Sequence, residues 1–318
     1  MTTSTDIKKA VLCLRAGQLV AFPTETVYGL GADAENEEAI HQVFAAKERP
    51  YSHPLIVHIE AWNQVTRWAA EIPPVATQLA QAFWPGPLTL VLQKKAHVLA
   101  CVTGAQETVA LRAPRHPVAQ ALLNAFGGAL VAPSANRFTH VSPTTAQAVK
   151  EELGDRVAMI LDGGSCQVGL ESTIVDVSSN LPVILRPGMI TREAIAHVLQ
   201  QPVTVHPSSI RVPGMHSLHY APKTQTRCFE KEALLHYIET ATLEKASIAV
   251  VTHGLERLPA HVHVQRMPKD AIHYAQVLYQ TLRVLDQGQF EQIIIEAVPL
   301  DSGWEAIRDR LSKASARR

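Results

Sequence analysis

This chain of 318 residues has no excess of charge: 29 lysines and arginines stand against 29 aspartates and glutamates. Divided near residue 206, it carries 15 basic and 17 acidic groups before that point and 14 and 12 after it. Neither part has the positive surplus of a dedicated nucleic-acid binder, although a local basic groove stays open. Cysteine is scarce. Cys13, Cys101, Cys166 and Cys228 are scattered, with no CxxC or Cys/His spacing that would suggest zinc and no disulfide framework. The opening MTTSTDIKKA lacks the apolar core of a signal peptide, and no apolar run reaches membrane-spanning length. No GxGxxG is present, so no dinucleotide is implied. The expectation is a cytoplasmic protein, with apolar content (47%) sufficient for real cores and a length suited to about two domains.

Helical periodicity predicts helices over 6–16, 36–47, 74–83, 118–126, 144–153 and 190–199, with Asn36 as an N-cap and Gly127-Gly128 as a stop. Short apolar runs predict strands at 19–22, 54–59, 88–93, 108–112, 129–132, 159–162, 172–177 and 183–186. This mixture without a strict repeat argues for an open α/β sheet rather than a barrel or bundle. Residues 207–222 (PSSIRVPGMHSLHYAP) have no hydrophobic period and read as a linker. Beyond it, helices at 230–242, 270–286 and 303–313 and strands at 248–251, 262–265 and 292–296 predict a smaller Rossmann-like α/β domain. The expected division is therefore 1–206, a 207–222 linker, and 223–318. The final residues, 314–318, read as frayed.

Chemistry gathers at strand ends. After Phe22, the run Pro23-Thr24-Glu25-Thr26-Val27-Tyr28-Gly29-Leu30-Gly31 offers hydroxyls, a carboxylate and glycines that let backbone N–H groups approach a ligand. Lys47 and Arg49 follow; they either complement a helix C-terminus or hold an anion. Pro133-Ser134-Ala135-Asn136 leaves a short strand, as a polar turn or as a ligand site. Arg112 and Arg186 each end a buried strand. Each needs an acidic partner, either a carboxylate of the domain or a bound carboxylate or phosphate. The histidines from His253 to His273 show no metal-ligand pattern.

PTETVYGLG at 23–31, the Lys-x-Arg at 47–49, HPLIVHI at 53–59, WPGPLTLVL at 84–92, TVALR at 108–112, APSAN at 132–136, LDGG at 161–164, GLESTIVD at 169–176 and LRPG at 185–188 occur in order. Together they resemble the YrdC-like threonylcarbamoyl-AMP synthases. PGMHSLHYAP at 213–222 and the domain after it resemble the longer, two-domain branch of that family.

The resemblance implies a YrdC-like open twisted mixed sheet with helices, joined by a linker to the smaller C-terminal Rossmann-like domain. It implies a nucleotidyltransferase that makes L-threonylcarbamoyladenylate and pyrophosphate from L-threonine, bicarbonate or CO2, and ATP, with Mg2+. The product would go to a downstream enzyme that transfers the threonylcarbamoyl group to tRNA beside the anticodon. By the same resemblance Arg49, His53, Thr108, Ser134, Ser142, Arg186 and the linker's Tyr220 would contact ATP. Lys47 and Asn136 would complete a catalytic cradle with Arg49 and Ser134. Thr26, His58, Arg112, the Ala132 backbone and Ser172 would hold threonine. No residue stands out as a covalent nucleophile, so catalysis would rest on positioning and electrostatics. The turn-rich 207–222 segment would act as a lid against water. Two alternatives remain: an RNA-binding module without turnover, and the related carbamoyl-transfer module of hydrogenase maturation proteins, which carries cysteine pairs that this chain lacks.

Overall fold

The computed structural model describes residues 2–179, 181–205, 209–215, 219–243, 247–260 and 262–316, and the statements below concern these residues. Residues 207, 208 and 216–218 of the expected linker, and 317–318 of the expected frayed tail, lie outside them. The chain forms two compact units: residues 1–138 with 142–215, and residues 139–141 with 216–318. No described helix is long and apolar enough to cross a membrane.

The first unit is built on a nine-stranded mixed sheet. Its strands are β1 (Val20–Pro23), β2 (Tyr28–Asp33), β3 (Ile56–His58), β4 (Leu88–Gln93), β5 (Thr108–Arg112), β6 (Leu130–Val131), β7 (Met159–Ile160), β8 (Thr173–Asp176) and β9 (Val183–Arg186), in the order β7-β1-β2-β6-β3-β5-β4-β8-β9. The helices are α1 (Ser4–Arg15), α2 (Glu37–Lys47), α3 (Val65–Trp68), α4 (Pro74–Phe83), α5 (Ala100–Thr103), α6 (Pro117–Phe126), α7 (Ala146–Leu153) and α8 (Arg192–Leu199). Local chemistry sets their ends. Asn36 caps α2 through a side-chain oxygen that accepts from the Ala39 N–H. Thr3 and Asp6 form a capping box on α1. Gly127 closes α6 with φ +72°.

One sheet face carries the larger core: Tyr28, Leu30, Val57, Leu90, Leu111, Val131 and Val175 pack with Ile40 and Phe44 of α2, Trp68 of α3, Leu79 of α4, Val149 of α7 and Ile195 of α8. On the opposite face, α1 and α6 cover Val20, Phe22, Leu130 and Ala132. The rest of that face, with Ile56, Val91, Ala110 and Ile174, packs with Val212 and Ile210. Helices thus shield one end of this face, while the other bears only a thin covering.

Strand β2 is absent from the sequence expectation. Tyr28–Asp33 is not an open loop but pairs antiparallel with β1, Phe22 opposite Gly29 and Val20 opposite Gly31. A Cβ at Gly31 would lie 2.7 Å from the Phe22 ring and 2.9 Å from the Val20 carbonyl oxygen, so glycine is needed here for close strand packing.

The second unit has a four-stranded, all-parallel sheet of β10 (Gln225–Phe229), β11 (Ile248–Thr252), β12 (His263–Arg266) and β13 (Gln292–Glu296), ordered β10-β13-β11-β12. Its helices are α9 (Lys231–Leu243), α10 (Ala271–Gln287) and α11 (Glu305–Ala314). Parallel strands joined by helices give the expected doubly wound character.

Candidate functional site

Strand alternation decides which side chains can meet. Register pairs His58 with Arg112, Ala110 with Ile56 and Val91, Thr108 with Gln93, and Ile174 with Thr89 and Arg186. Because side chains alternate, Thr108, Arg112, His58, Ala132, Ser172 and Arg186 all project from the sheet face opposite the larger core. They come from five separate strands or their immediate flanks. Arg186 reaches this face through a β-bulge. The β8–β9 register runs Asp176–Val183, Val175–Ile184, then Ile174–Arg186, so Leu185 is the extra residue.

The segment from Gly169 to Thr173 ties the pieces together. Its Gly169 N–H donates to the Thr26 carbonyl at 3.1 Å. The Glu171 carboxylate accepts from the Ser142 hydroxyl at 2.6 Å, and Ser172 Oγ lies 2.7 Å from Thr89 Oγ1. Arg186 donates from Nη2 to the Ser172 carbonyl at 2.9 Å and to its Oγ at 3.1 Å, and from Nη1 to the Pro213 carbonyl at 3.0 Å. Glycine is required where β9 leaves: a Cβ on Gly188 would sit 2.3 Å from the Thr173 backbone nitrogen.

Arg112 and Glu25 form a buried ion pair, Nη2 to Oε1 at 2.7 Å, with side chains 5% and 2% exposed. Arg112 Nε donates to the Gly86 carbonyl at 3.3 Å, and the Arg115 N–H donates to Glu25 Oε2 at 2.9 Å. Burial works against the Glu25 charge, but Arg112 and these donors outweigh it and hold the carboxyl below its ordinary range. His58, beside them, is pushed down to about 3 by burial and then by the Arg112 charge, so it is neutral near pH 7. Its Nδ1 faces the Ile56 carbonyl at 3.3 Å, and its ring meets Phe22 edge-on. Thr26 Oγ1 lies 2.8 Å from Thr24 Oγ1 in the adjoining turn.

The second cluster is basic. Helix α2 ends with Glu48 in the left-handed region, φ +55°, which turns the chain so that Arg49 is also buried. Arg49 Nη2 donates to the Pro54 carbonyl at 2.9 Å. The Lys47 ammonium does not serve its own helix end. It donates to the carbonyls of Ser134 and Asn136, and so pins the Pro133–Asn136 turn. Burial, with Arg49 nearby, pulls the Lys47 amine well below its usual range, while Glu152 and Glu171 oppose this. The Asn136 amide donates to the Arg137 carbonyl at 2.7 Å. His53 packs edge-on to Phe138, ring centroids 5.2 Å apart.

Tyr220 belongs to the second unit. It has φ +58°, stacks on Tyr279 at 5.7 Å between centroids, and lies under the Arg310 guanidinium at 5.1 Å. Glu25, Thr89 and Glu171 are members of the site to which the sequence assigned no role. Each joins a partner far along the chain, and only their position inside the motifs hinted at them.

Residues 13–188 match the family described as "Telomere recombination", the Sua5/YciO/YrdC group, and residues 190–316 match "Threonylcarbamoyl-AMP synthase, C-terminal domain". The chain is 37% identical to the threonylcarbamoyl-AMP synthase of Pyrococcus abyssi, over 98% of this chain and 94% of that one. It is 38% identical to the Bacillus subtilis protein of the same name, over 100% and 95%. A crystal structure of P. abyssi Sua5 complexed with L-threonine superposes with a TM-score of 0.92 at 36% identity, covering 98% of this chain and 95% of that one.

Proposed function

Since this chain belongs to the threonylcarbamoyl-AMP synthase family, in its two-domain form, we propose that the thinly covered sheet face is its two-substrate cradle. The activity is ATP-dependent formation of L-threonylcarbamoyladenylate for tRNA modification. Likeness to synthases over the whole chain favours turnover over a purely RNA-binding role. One observation carries the reading of the site: register brings Arg112, His58, Ser172 and Arg186 to one face, and the 169–173 segment links them to Thr26 and Ser142.

Each half of the cradle suits its substrate. Arg112 meets the threonine carboxylate. Its Nε and one Nη2 hydrogen are already committed to Gly86 and Glu25, so the acid approaches end-on, toward Nη1. Neutral His58 and the Thr26 and Ser172 hydroxyls then hydrogen-bond the remaining polar groups without adding charge. Lys47, Arg49 and Arg186 serve the phosphates, with His53, Thr108, Ser134, Ser142 and Asn136 as polar neighbours. The chain has zero net charge overall, yet this cradle gathers Lys47, Arg49, Arg112 and Arg186 against Glu25 and Glu171, with Glu152 behind Lys47. That local surplus offsets the repulsion between an anionic carbamate and ATP.

The chemistry then needs no covalent enzyme intermediate. The threonine amine adds to CO2 supplied by bicarbonate, giving a carbamate and losing a proton. A carbamate oxygen attacks the α-phosphorus of ATP, and the bond to pyrophosphate breaks. Positioning and fixed positive charge lower this barrier. Mg2+ would neutralise phosphate charge. The two carboxylates of the cradle are engaged, Glu25 with Arg112 and Glu171 with Ser142. This donor set suits an ion that arrives on the phosphates with its own water rather than one held by a protein cage. The adenylate then passes to a tRNA-modifying transferase, in a cytoplasmic setting.

The test is pyrophosphate release by the full chain. It should require ATP, threonine and bicarbonate together. Equal release with serine, or with no amino acid, would remove Arg112, His58 and Ser172 from the threonine site.

A further inference from the structure

A second constellation lies apart from the cradle, on α2 and α5. Glu37 and His41 stand one helical turn apart on an exposed face of α2. Cys101, on α5, is half-buried beside them. The carboxylate, imidazole and thiol ligand atoms of these three residues all lie within 4.8 Å of one another. Tyr51 packs edge-on against the His41 ring, centroids 5.2 Å apart, and restricts its orientation. Spacing along the sequence concealed this group, because no short Cys/His motif connects the two helices.

The three donors face one another at a cost. The Glu37 carboxylate lies within 4.8 Å of the half-buried Cys101 sulfur. A divalent cation would remove that opposition: it takes the thiolate and carboxylate together, and the thiol proton leaves to solvent. A set of one sulfur, one nitrogen and one oxygen selects a borderline ion of the zinc type. Magnesium and calcium take oxygen alone. Three protein ligands leave a fourth tetrahedral place to water.

We propose that Glu37, His41 and Cys101 form a zinc-type metal site that joins α2 to α5. Its position gives it a structural consequence. Helix α5 supports the 50–55 segment: the Leu55 N–H donates to the Val102 carbonyl at 2.8 Å, and the position of a Cβ on Gly104 lies 2.5 Å from the Ser52 carbonyl oxygen. A metal here braces the loop that follows Arg49 and carries His53. The ion is distinct from any that accompanies ATP.

The full chain, stripped of metal with a chelator, is titrated with Zn2+ against a chromophoric indicator and separately with Co2+. One Zn2+ per chain is expected, together with an ultraviolet thiolate-to-cobalt charge-transfer band. Cys101→Ser should abolish that band, and Glu37→Ala and His41→Ala should each weaken Zn2+ uptake about tenfold or more. Both of the latter residues are exposed, so the variants keep their fold, which circular dichroism checks. Absence of tight Zn2+ uptake overturns the proposal. So does a charge-transfer band that survives in Cys101→Ser, which would place the ion on Cys13, Cys166 or Cys228. These readouts do not depend on adenylate synthesis, so the metal site and the synthase reading fail separately.

Discussion

Replacing Arg112 with lysine separates the two halves of the cradle. Lysine keeps a cation beside Glu25 but loses the Nε bond to Gly86 and the planar donor face offered to a bound carboxylate. A hydrogen bond between ionised groups is worth about 1.5–3 kcal/mol. Losing one raises the threonine KM by about 10- to 150-fold, while the ATP KM stays near the parent value. Alanine would be less informative. It removes the ion partner of a carboxylate that is only 2% exposed, at about 3–5 kcal/mol, and confuses unfolding with lost binding. The assay is initial-rate pyrophosphate release with threonine varied at saturating ATP, then ATP varied at saturating threonine, beside urea denaturation of both proteins. Equal rises in both KM values, or a rise for ATP alone, would move Arg112 to the phosphates. No change in either would reduce it to the structural partner of Glu25.

Three further outcomes follow from the geometry. His58 stays neutral in the folded chain down to about pH 3, whereas its ordinary value is 6.5. Its contribution to stability is therefore complete above pH 6.5 and is lost as pH falls below that, by at most about 1.4 kcal/mol per pH unit. His58→Asn should flatten the acid-side decline of urea stability, and an unchanged slope would contradict a buried neutral imidazole. Gly31→Ala places a methyl 2.7 Å from the Phe22 ring and should cost about 1–3 kcal/mol in urea denaturation; an equal midpoint would contradict the close packing of β1 and β2. Lys47→Met frees the Ser134 and Asn136 carbonyls and should lower kcat/KM for ATP by about 10²- to 10³-fold. Near-parental turnover would show that the pinned turn is not needed for catalysis.

Local signals were legible where they were strong. The Asn36 cap, the Gly127 stop and the strand 108–112 needed nothing beyond short-range pattern. Strand β2 was hidden because Gly29 and Gly31 carry little strand preference; cross-strand packing against Phe22 is what demands them. Strand β10 was hidden for another reason: at the edge of its sheet, Thr226 is its one buried residue, so no apolar run marks it. Motifs pointed to Arg112 and Lys47, but not to their partners. Glu25 lies 87 positions from Arg112, and the carbonyls that Lys47 grips lie 87 and 89 positions away. Such pairings are set by tertiary register, which a single sequence does not display.

The extra residue in β9 shows that part of this site is encoded as spacing rather than as chemistry. Between Ile184 and Arg186 the strand advances one position more than its partner β8. Were Leu185 to take the place opposite Ile174, every proposed ligand-contacting side chain would remain in the protein. Arg186 would then fall into simple alternation and turn its guanidinium to the opposite face of the sheet, away from Ser172. Alanine scanning would pass over Leu185 as an ordinary half-buried hydrophobe, because what it supplies is one place in the register. Relatives that keep the arginine but pair a strand of equal length without the bulge would carry the letter without the geometry.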